Sequence, residues 1–197
     1  MLLKEQQEDG MEHNNKEQRR RLRDAYMKLG LQMQPNAFVT LTTNDTAKTD
    51  PREKKDQKNG PPKALTWRYQ GEPKVSEISK TLDMTRLIGE YLAMMDRALL
   101  GRNWSQVSPD QRTDGLFIIE HTKTNIHAHG LLRFPAAKCH DLEVLTLMKW
   151  NRLTQSGDTD FQAIYDLAGA AGYCMKEMAS VQFSPDQAVL ARQFHTT

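Results

Sequence analysis

The stretch Ile126-His127-Ala128-His129-Gly130-Leu131-Leu132 places two imidazoles one residue apart inside an apolar run. In a β-strand, residues two apart share a face. His127 and His129 therefore project side by side, the arrangement two imidazoles need to hold one metal ion. Upstream, Gly115-Leu116-Phe117-Ile118-Ile119-Glu120 is a second apolar strand that ends in a carboxylate. The polar link His121-Thr122-Lys123-Thr124-Asn125 is short enough for a hairpin, which returns Glu120 beside His127 as a third ligand. Two neutral nitrogens and one carboxylate oxygen suit a divalent cation that keeps positions open for water or substrate. Glu120 and His121 are adjacent and point to opposite faces if the strand continues, so which of them completes the set depends on the face the hairpin turns inward. A second group of reactive side chains lies in Tyr173-Cys174-Met175-Lys176, whose spacing puts a phenol and an ammonium on one face of a helix.

These groups need a scaffold, and the rest of the chain supplies its elements. Residues 1–30 hold Lys16-Glu17-Gln18-Arg19-Arg20-Arg21-Leu22-Arg23 and read as a basic helix closing at Gly30. Either it packs Leu22, Tyr26 and Leu29 on the domain, or it is an arm that contacts phosphates. Ala37–Thr43 alternates, with Phe38, Thr40 and Thr42 on one face and Val39 and Leu41 on the other, and predicts a strand. Its threonine face either belongs to the core or lines a polar cleft where hydroxyls meet phosphates. From 44 to 63 periodicity disappears among many breakers, which predicts a long mobile loop. Lys48 to Arg68 contains seven Lys/Arg against three Asp/Glu, a local excess of four positive charges that includes Lys54 and Lys55. It runs into Ala64-Leu65-Thr66-Trp67-Arg68-Tyr69, a further predicted strand where aromatics interleave with a cation and could stack bases. For Trp67 alone, packing on a core is the simpler reading.

Ser76 to Leu100 reads as a long amphipathic helix through Leu82, Leu87, Ile88, Tyr91, Leu92, Met95 and Leu99, capped by Ser76 and stopped at Gly101. Asp141–Leu153 predicts a further helix, Thr159–Tyr165 a strand, and Asp166 the cap of a small-residue helix over 167–178. The coarse order is thus strands near 37–43, 64–69, 115–120, 126–134 and 159–165, with helices between. Residues 31–180 form the expected domain and 181–197 a C-terminal tail.

Composition narrows the function classes. With 38% hydrophobic residues and a mean hydropathy of −0.70, the 197-residue chain suits one domain with polar extensions. It contains no apolar run long enough for a membrane span, and its charged N-terminus is unlike a signal peptide. Two cysteines, Cys139 and Cys174, give no disulfide framework and fit a reducing cytoplasm. A net charge of +2 leaves any nucleic-acid binding to local patches.

A strand like Phe38–Thr42, an acidic residue before a hairpin, His127-Ala128-His129 and then Tyr173-Cys174-Met175-Lys176 occur in the order found in HUH-type Rep proteins, which this chain resembles over roughly residues 37 to 178. The histidine pair alone is a weak signal; the carboxylate, the pair and a downstream Tyr-x-x-Lys together are far more specific. The resemblance implies an α+β fold, with a central antiparallel sheet of about five strands, flanking helices and ferredoxin- or RRM-like character. It implies a metal-dependent, site-specific single-stranded DNA endonuclease and strand transferase that initiates rolling-circle replication. Glu120, His127 and His129 would hold Mg2+ or Mn2+. Tyr173 would attack the phosphodiester, giving a 5′-phosphotyrosine link and a free 3′-OH, with Lys176 assisting. Thr40, Thr42, Lys54, Lys55, Trp67 and Arg68 are the candidate DNA contacts. Relaxases within the same group use three histidines and an early tyrosine, which keeps His121 and Tyr26 as rivals; a single-tyrosine transposase and a non-catalytic RRM-like module are the other readings. The resemblance implies an origin strand, a host helicase and a polymerase as partners; the sequence shows no Gly-x-x-x-x-Gly-Lys-Ser/Thr phosphate loop, so unwinding would depend on a host helicase or on a missing part of the chain.

Overall fold

The computed structural model describes residues 2–43, 77–121, 125–135, 139–154 and 156–195, with side chains from residues 16, 80 and 141 onward in the first, second and fourth stretches. The fold is α+β. Helix α1 (Leu2–Gln32) precedes strand β1 (Ala37–Thr42), helix α2 (Glu77–Leu100), the hairpin of β2 (Asp114–Glu120) and β3 (His127–Arg133), helix α3 (Cys139–Leu153), strand β4 (Thr159–Ala163), helix α4 (Leu167–Cys174) and strand β5 (Ala188–Leu190). The strands form one antiparallel sheet in the order β4-β1-β3-β2-β5. The unit β1-α2-β2-β3-α3-β4 is the split β-α-β arrangement of ferredoxin-like domains, and β5 extends it past β2. Helices cover both faces of this sheet.

Strand alternation sorts the residues between the two layers. Val39, Leu41, Phe117, Ile119, Ala128 and Leu132 face α2 and α3, and pack with Met84, Ile88, Tyr91, Leu92, Met95 and Trp150. The opposite parity sends Phe38, Leu116, Ile118 and Leu131 toward α1 and α4, against Leu22, Tyr26, Met27, Ala171, Cys174 and Met175. The expected stripe of α2 is otherwise correct, but Leu82 is 62% exposed and the fully buried Met84 takes its place. The stripe Met84, Ile88, Tyr91, Leu92, Met95 keeps the three- and four-residue steps of one helical face, and Leu82 falls outside it.

Two glycines mark close approaches. A Cβ on Gly130 would lie 2.4 Å from the Phe117 ring, its cross-strand partner, so the ring lies directly on β3 because no side chain is there. Gly30 is not the end of α1, which continues to Gln32. A Cβ there would stand 3.1 Å from Leu131, so this glycine brings the helix down onto the sheet. The expected tail 181–197 supplies β5 as an edge strand and a following 3-10 turn, Ala191–Phe194. Arg192 Nε donates to Asp114 Oδ2 at 2.8 Å and ties that end to β2. The predicted loop at 44–63, the predicted strand at 64–69 and the Ser76 cap lie outside the described residues.

Candidate metal centre

Register decides which acidic or imidazole group completes the ligand set. Glu120 pairs with His127 across the β2–β3 hairpin, and Ile118 with His129. Directly opposed residues share a face, so Glu120, His127 and His129 meet on the α1/α4 side of the sheet. Their ligating atoms lie within 4.8 Å of one another. Glu120 Oε2 is 3.5 Å from His127 Nε2 and 3.6 Å from His129 Nε2. Two ligands about 2.1 Å from one ion and set at tetrahedral angles lie roughly 3.4 Å apart, close to this spacing. His121 leaves the strand with a positive φ of 53° and stacks its ring on that of His127 at 4.9 Å. It stands beside the ligand set rather than in it.

The surroundings prepare the imidazoles for binding. His127 Nδ1 lies 3.1 Å from the Asn125 carbonyl oxygen, an acceptor only, so the neutral ring carries its proton on Nδ1 and turns the Nε2 lone pair toward Glu120. His129 Nδ1 meets Thr40 Oγ1 at 3.0 Å, leaving its Nε2 toward the same carboxylate. Burial pushes His129 down to about 4, so it is an uncharged ring at neutral pH. The Glu120 carboxylate holds His127 above the usual imidazole range against the opposing effect of burial. For Glu120 itself, burial favours the acid. The two histidines and Lys176 outweigh it and hold the carboxyl below its ordinary value.

Glu120 carries the strongest indication that this group could hold a cation. Its side chain is wholly shielded from solvent, yet neither carboxylate oxygen has a hydrogen-bond partner. A buried carboxylate without hydrogen bonds is costly unless nearby positive charge offsets it. Lys176 Nζ, 3.6 Å away and partly exposed, is its nearest cation. A set of two imidazole nitrogens and one buried carboxylate oxygen could hold a metal ion.

Helix α4 delivers the second reactive group. Asp166 caps it by accepting from the Gly169 amide at 3.0 Å. The helix stops at Cys174 rather than running to 178, and Lys176–Ala179 forms a 3-10 turn. The tighter turn still brings Lys176 back over its neighbour: Nζ sits 4.2 Å from the centre of the Tyr173 ring. That ring packs edge-on against His129 at 5.2 Å and Phe38 at 5.7 Å, and Tyr173 remains 51% exposed. Tyr26, by contrast, packs into the apolar layer beneath α1.

Of the expected nucleic-acid contacts, Thr40 and Thr42 lie on the same face of β1 as the metal ligands, opposite His129 and His127. Both hydroxyls are engaged within the protein: Thr40 steadies His129, and Thr42 Oγ1 accepts from the Asp158 amide at 3.0 Å. Lys54, Lys55, Trp67 and Arg68 lie outside the described residues. A groove of about 530 Å³, with Phe38, Thr40, Asp160, Gln162, Asp166 and Tyr173 in its walls, leads from the tyrosine toward the β4 edge. The role of Thr40 as the partner of a ligand was missed in the sequence. It depends on a pairing between strands 89 residues apart, and no local pattern encodes that.

Comparison with protein-family models, with curated proteins and with solved structures gave no match, so the site itself carries the functional reading. Among the described residues, no helix is long and apolar enough to cross a membrane.

Proposed function

We propose that the chain is an HUH-type endonuclease of the replication-initiator kind, nicking and rejoining single-stranded DNA through a tyrosine-linked intermediate. One observation carries this reading: an exposed phenol packs against a ligand histidine of a Glu-His-His site, with a lysine ammonium held between the phenol ring and the carboxylate. Glu120, His127 and His129 would hold the ion. Magnesium or manganese there would polarise a phosphoryl oxygen and stabilise charge on the departing one.

The chain's own residues do the rest. Tyr173 Oη attacks phosphorus, forming the Tyr–O–P bond as the P–O3′ bond breaks; the phenol proton passes to solvent and the 3′ oxygen leaves as a hydroxyl. The linkage keeps a phosphodiester, so a 3′-OH can attack it and restore the strand with Tyr173 as leaving group. Lys176 supplies positive charge beside the phenol. Burial opposes its charged form, but Tyr173 and the Glu120 carboxylate hold its pKa above the ordinary lysine value, which makes it an electrostatic stabiliser rather than a base. The groove beyond Tyr173 gives an extended strand room, with the half-exposed tyrosine ring as a stacking surface. Under this reading the partners are a single-stranded origin, a host helicase and a polymerase, and the setting is the cytoplasm.

The test is a denaturing gel of the protein incubated with Mn2+ and a labelled pool of randomised single strands. The expected result is a covalent adduct that maps to the Tyr173 peptide and is absent from Tyr173→Phe. An adduct on Tyr26 overturns the assignment of the nucleophile. Cleavage without any adduct makes water the nucleophile, and binding without cleavage leaves a nucleic-acid-binding module.

A further inference from the structure

We propose that the groove between α2 and α3, on the side of the sheet remote from Tyr173, is a second nucleic-acid site that takes the sugar-phosphate backbone of double-stranded DNA. This goes beyond the cleavage reading and does not depend on it. The groove has a volume of about 550 Å³ and is lined by Met94, Arg97 and Ala98 of α2 with Lys149 and Arg152 of α3. Three cations line it and no carboxylate does. Among the described residues, none of the three has an ion pair or a side-chain hydrogen bond. Elsewhere Arg20, Arg21, Arg86, Arg112 and Arg192 each find a carboxylate, while Arg19 and Arg23 on α1 leave their Nε atoms without a hydrogen-bond partner.

Helix polarity accounts for part of this arrangement. Arg97 and Arg152 sit in the last turns of their helices, where a cation is favoured. It does not account for their convergence with Lys149, which stands three residues before Arg152, a spacing at which like charges repel. The helices that carry them are fixed to each other. Tyr91 and Trp150 lock the two helices ring to ring at 6.1 Å, and Tyr91 Oη shares a hydrogen bond of 3.0 Å with Thr146. Three unpaired cations carried on two fixed helices, with no carboxylate among them, suit a polyanion.

The lining also selects the kind of polyanion. Single strands are held by aromatic platforms on which bases stack, and this groove has no aromatic in its walls. The Tyr173 face, with its half-exposed phenol ring, has that character instead. A duplex presents an unbroken line of phosphates, about one charge per 1.7 Å of axis, and needs only fixed cations. The two faces thus divide the work, the single strand on one and flanking duplex on the other.

The experiment compares the full chain with its R97Q/K149Q/R152Q variant. Binding to a labelled random duplex is measured by fluorescence anisotropy across a salt series, with a short single strand as the second probe. Each lost phosphate contact removes roughly 0.9 from the slope of log affinity against log salt, so the triple variant should be shallower on duplex by about 2.7. Its affinity for the short single strand should stay unchanged. An unchanged duplex slope, an equal loss on the single strand, or no duplex binding by the wild type overturns the proposal. If circular dichroism shows the triple variant unfolded, R97Q and R152Q singly carry the test, each with a loss of about 0.9. A wild-type protein that binds duplex but forms no tyrosine adduct overturns the cleavage reading and leaves this one standing.

Discussion

Replacing Glu120 by glutamine keeps the shape of the side chain and removes its charge, which isolates what the buried carboxylate is for. Both oxygens are shielded from solvent and lack hydrogen bonds, and two imidazole Nε2 atoms stand 3.5 and 3.6 Å from one of them. If a divalent ion completes this set, it binds the folded chain and not the unfolded one. At about a hundred times its dissociation constant such an ion adds roughly 2.7 kcal/mol of stability. For a chain of this size each kcal/mol moves the melting midpoint by about 2–4 °C, which predicts a rise of roughly 5–11 °C with saturating Mn2+. Chelator should return the midpoint to its starting value. Glu120→Gln offers only a neutral amide oxygen beside the imidazoles, and its rise at the same concentration should fall to about 1 °C or less. Differential scanning fluorimetry across a Mn2+ series, with His129→Ala as a second variant, makes the measurement. A full wild-type shift in either variant would refute the reasoning, because the ion would then sit elsewhere.

Under the proposed function Lys176→Ala would leave the nucleophile in place, so adduct formation in single-turnover assays should slow by about 10²-fold rather than vanish; total loss would assign the lysine an obligatory role. Gly130→Ala drives a methyl into the fully buried Phe117 ring and should cost about 1–3 kcal/mol in urea unfolding, with Phe117→Leu recovering part of it. An unchanged midpoint would mean that β3 is free to move away from the ring. His195 titrates below its ordinary range because burial disfavours the charged ring, with Arg112 adding to the effect. Its folded value lies below the unfolded one, so its contribution is complete above about pH 6.5 and fades as pH falls through the folded value. Denaturation from pH 7.5 to 5 should therefore show the wild type losing more stability than His195→Gln, and parallel curves would contradict this.

Those features that rest on short periods were legible from the residues alone. Alternation in Phe38–Thr42 and in the two hairpin strands gave the faces of β1, β2 and β3, and a period of two is enough to bring His127 and His129 together. The three-residue step from Tyr173 to Lys176 located the phenol–ammonium pair even though the helix ends between them. Placing Glu120 on the histidine face needed the register of the hairpin, which the link fixes only once its turn is known. Thr40's partnership with His129 needed the β1–β3 pairing. Ala188–Leu190 is too short to show alternation, and only its contact with Leu116–Ile118 makes it a strand. Gly30 read as a stop signal because a glycine in a last turn ends a helix as readily as it admits a close contact.

Strand β3 carries the imidazoles on one side and Ala128, Gly130 and Leu132 on the other, the second set packed into the layer beneath α2 and α3. A slip of one residue against β1 and β2 would exchange these sides, burying both histidines in hydrocarbon and turning the alanine and glycine toward the tyrosine. The chemistry and the packing are therefore two readouts of a single alignment. An ion that required Glu120, His127 and His129 together would reject every misaligned sheet, and so would act as a proofreading device for the fold.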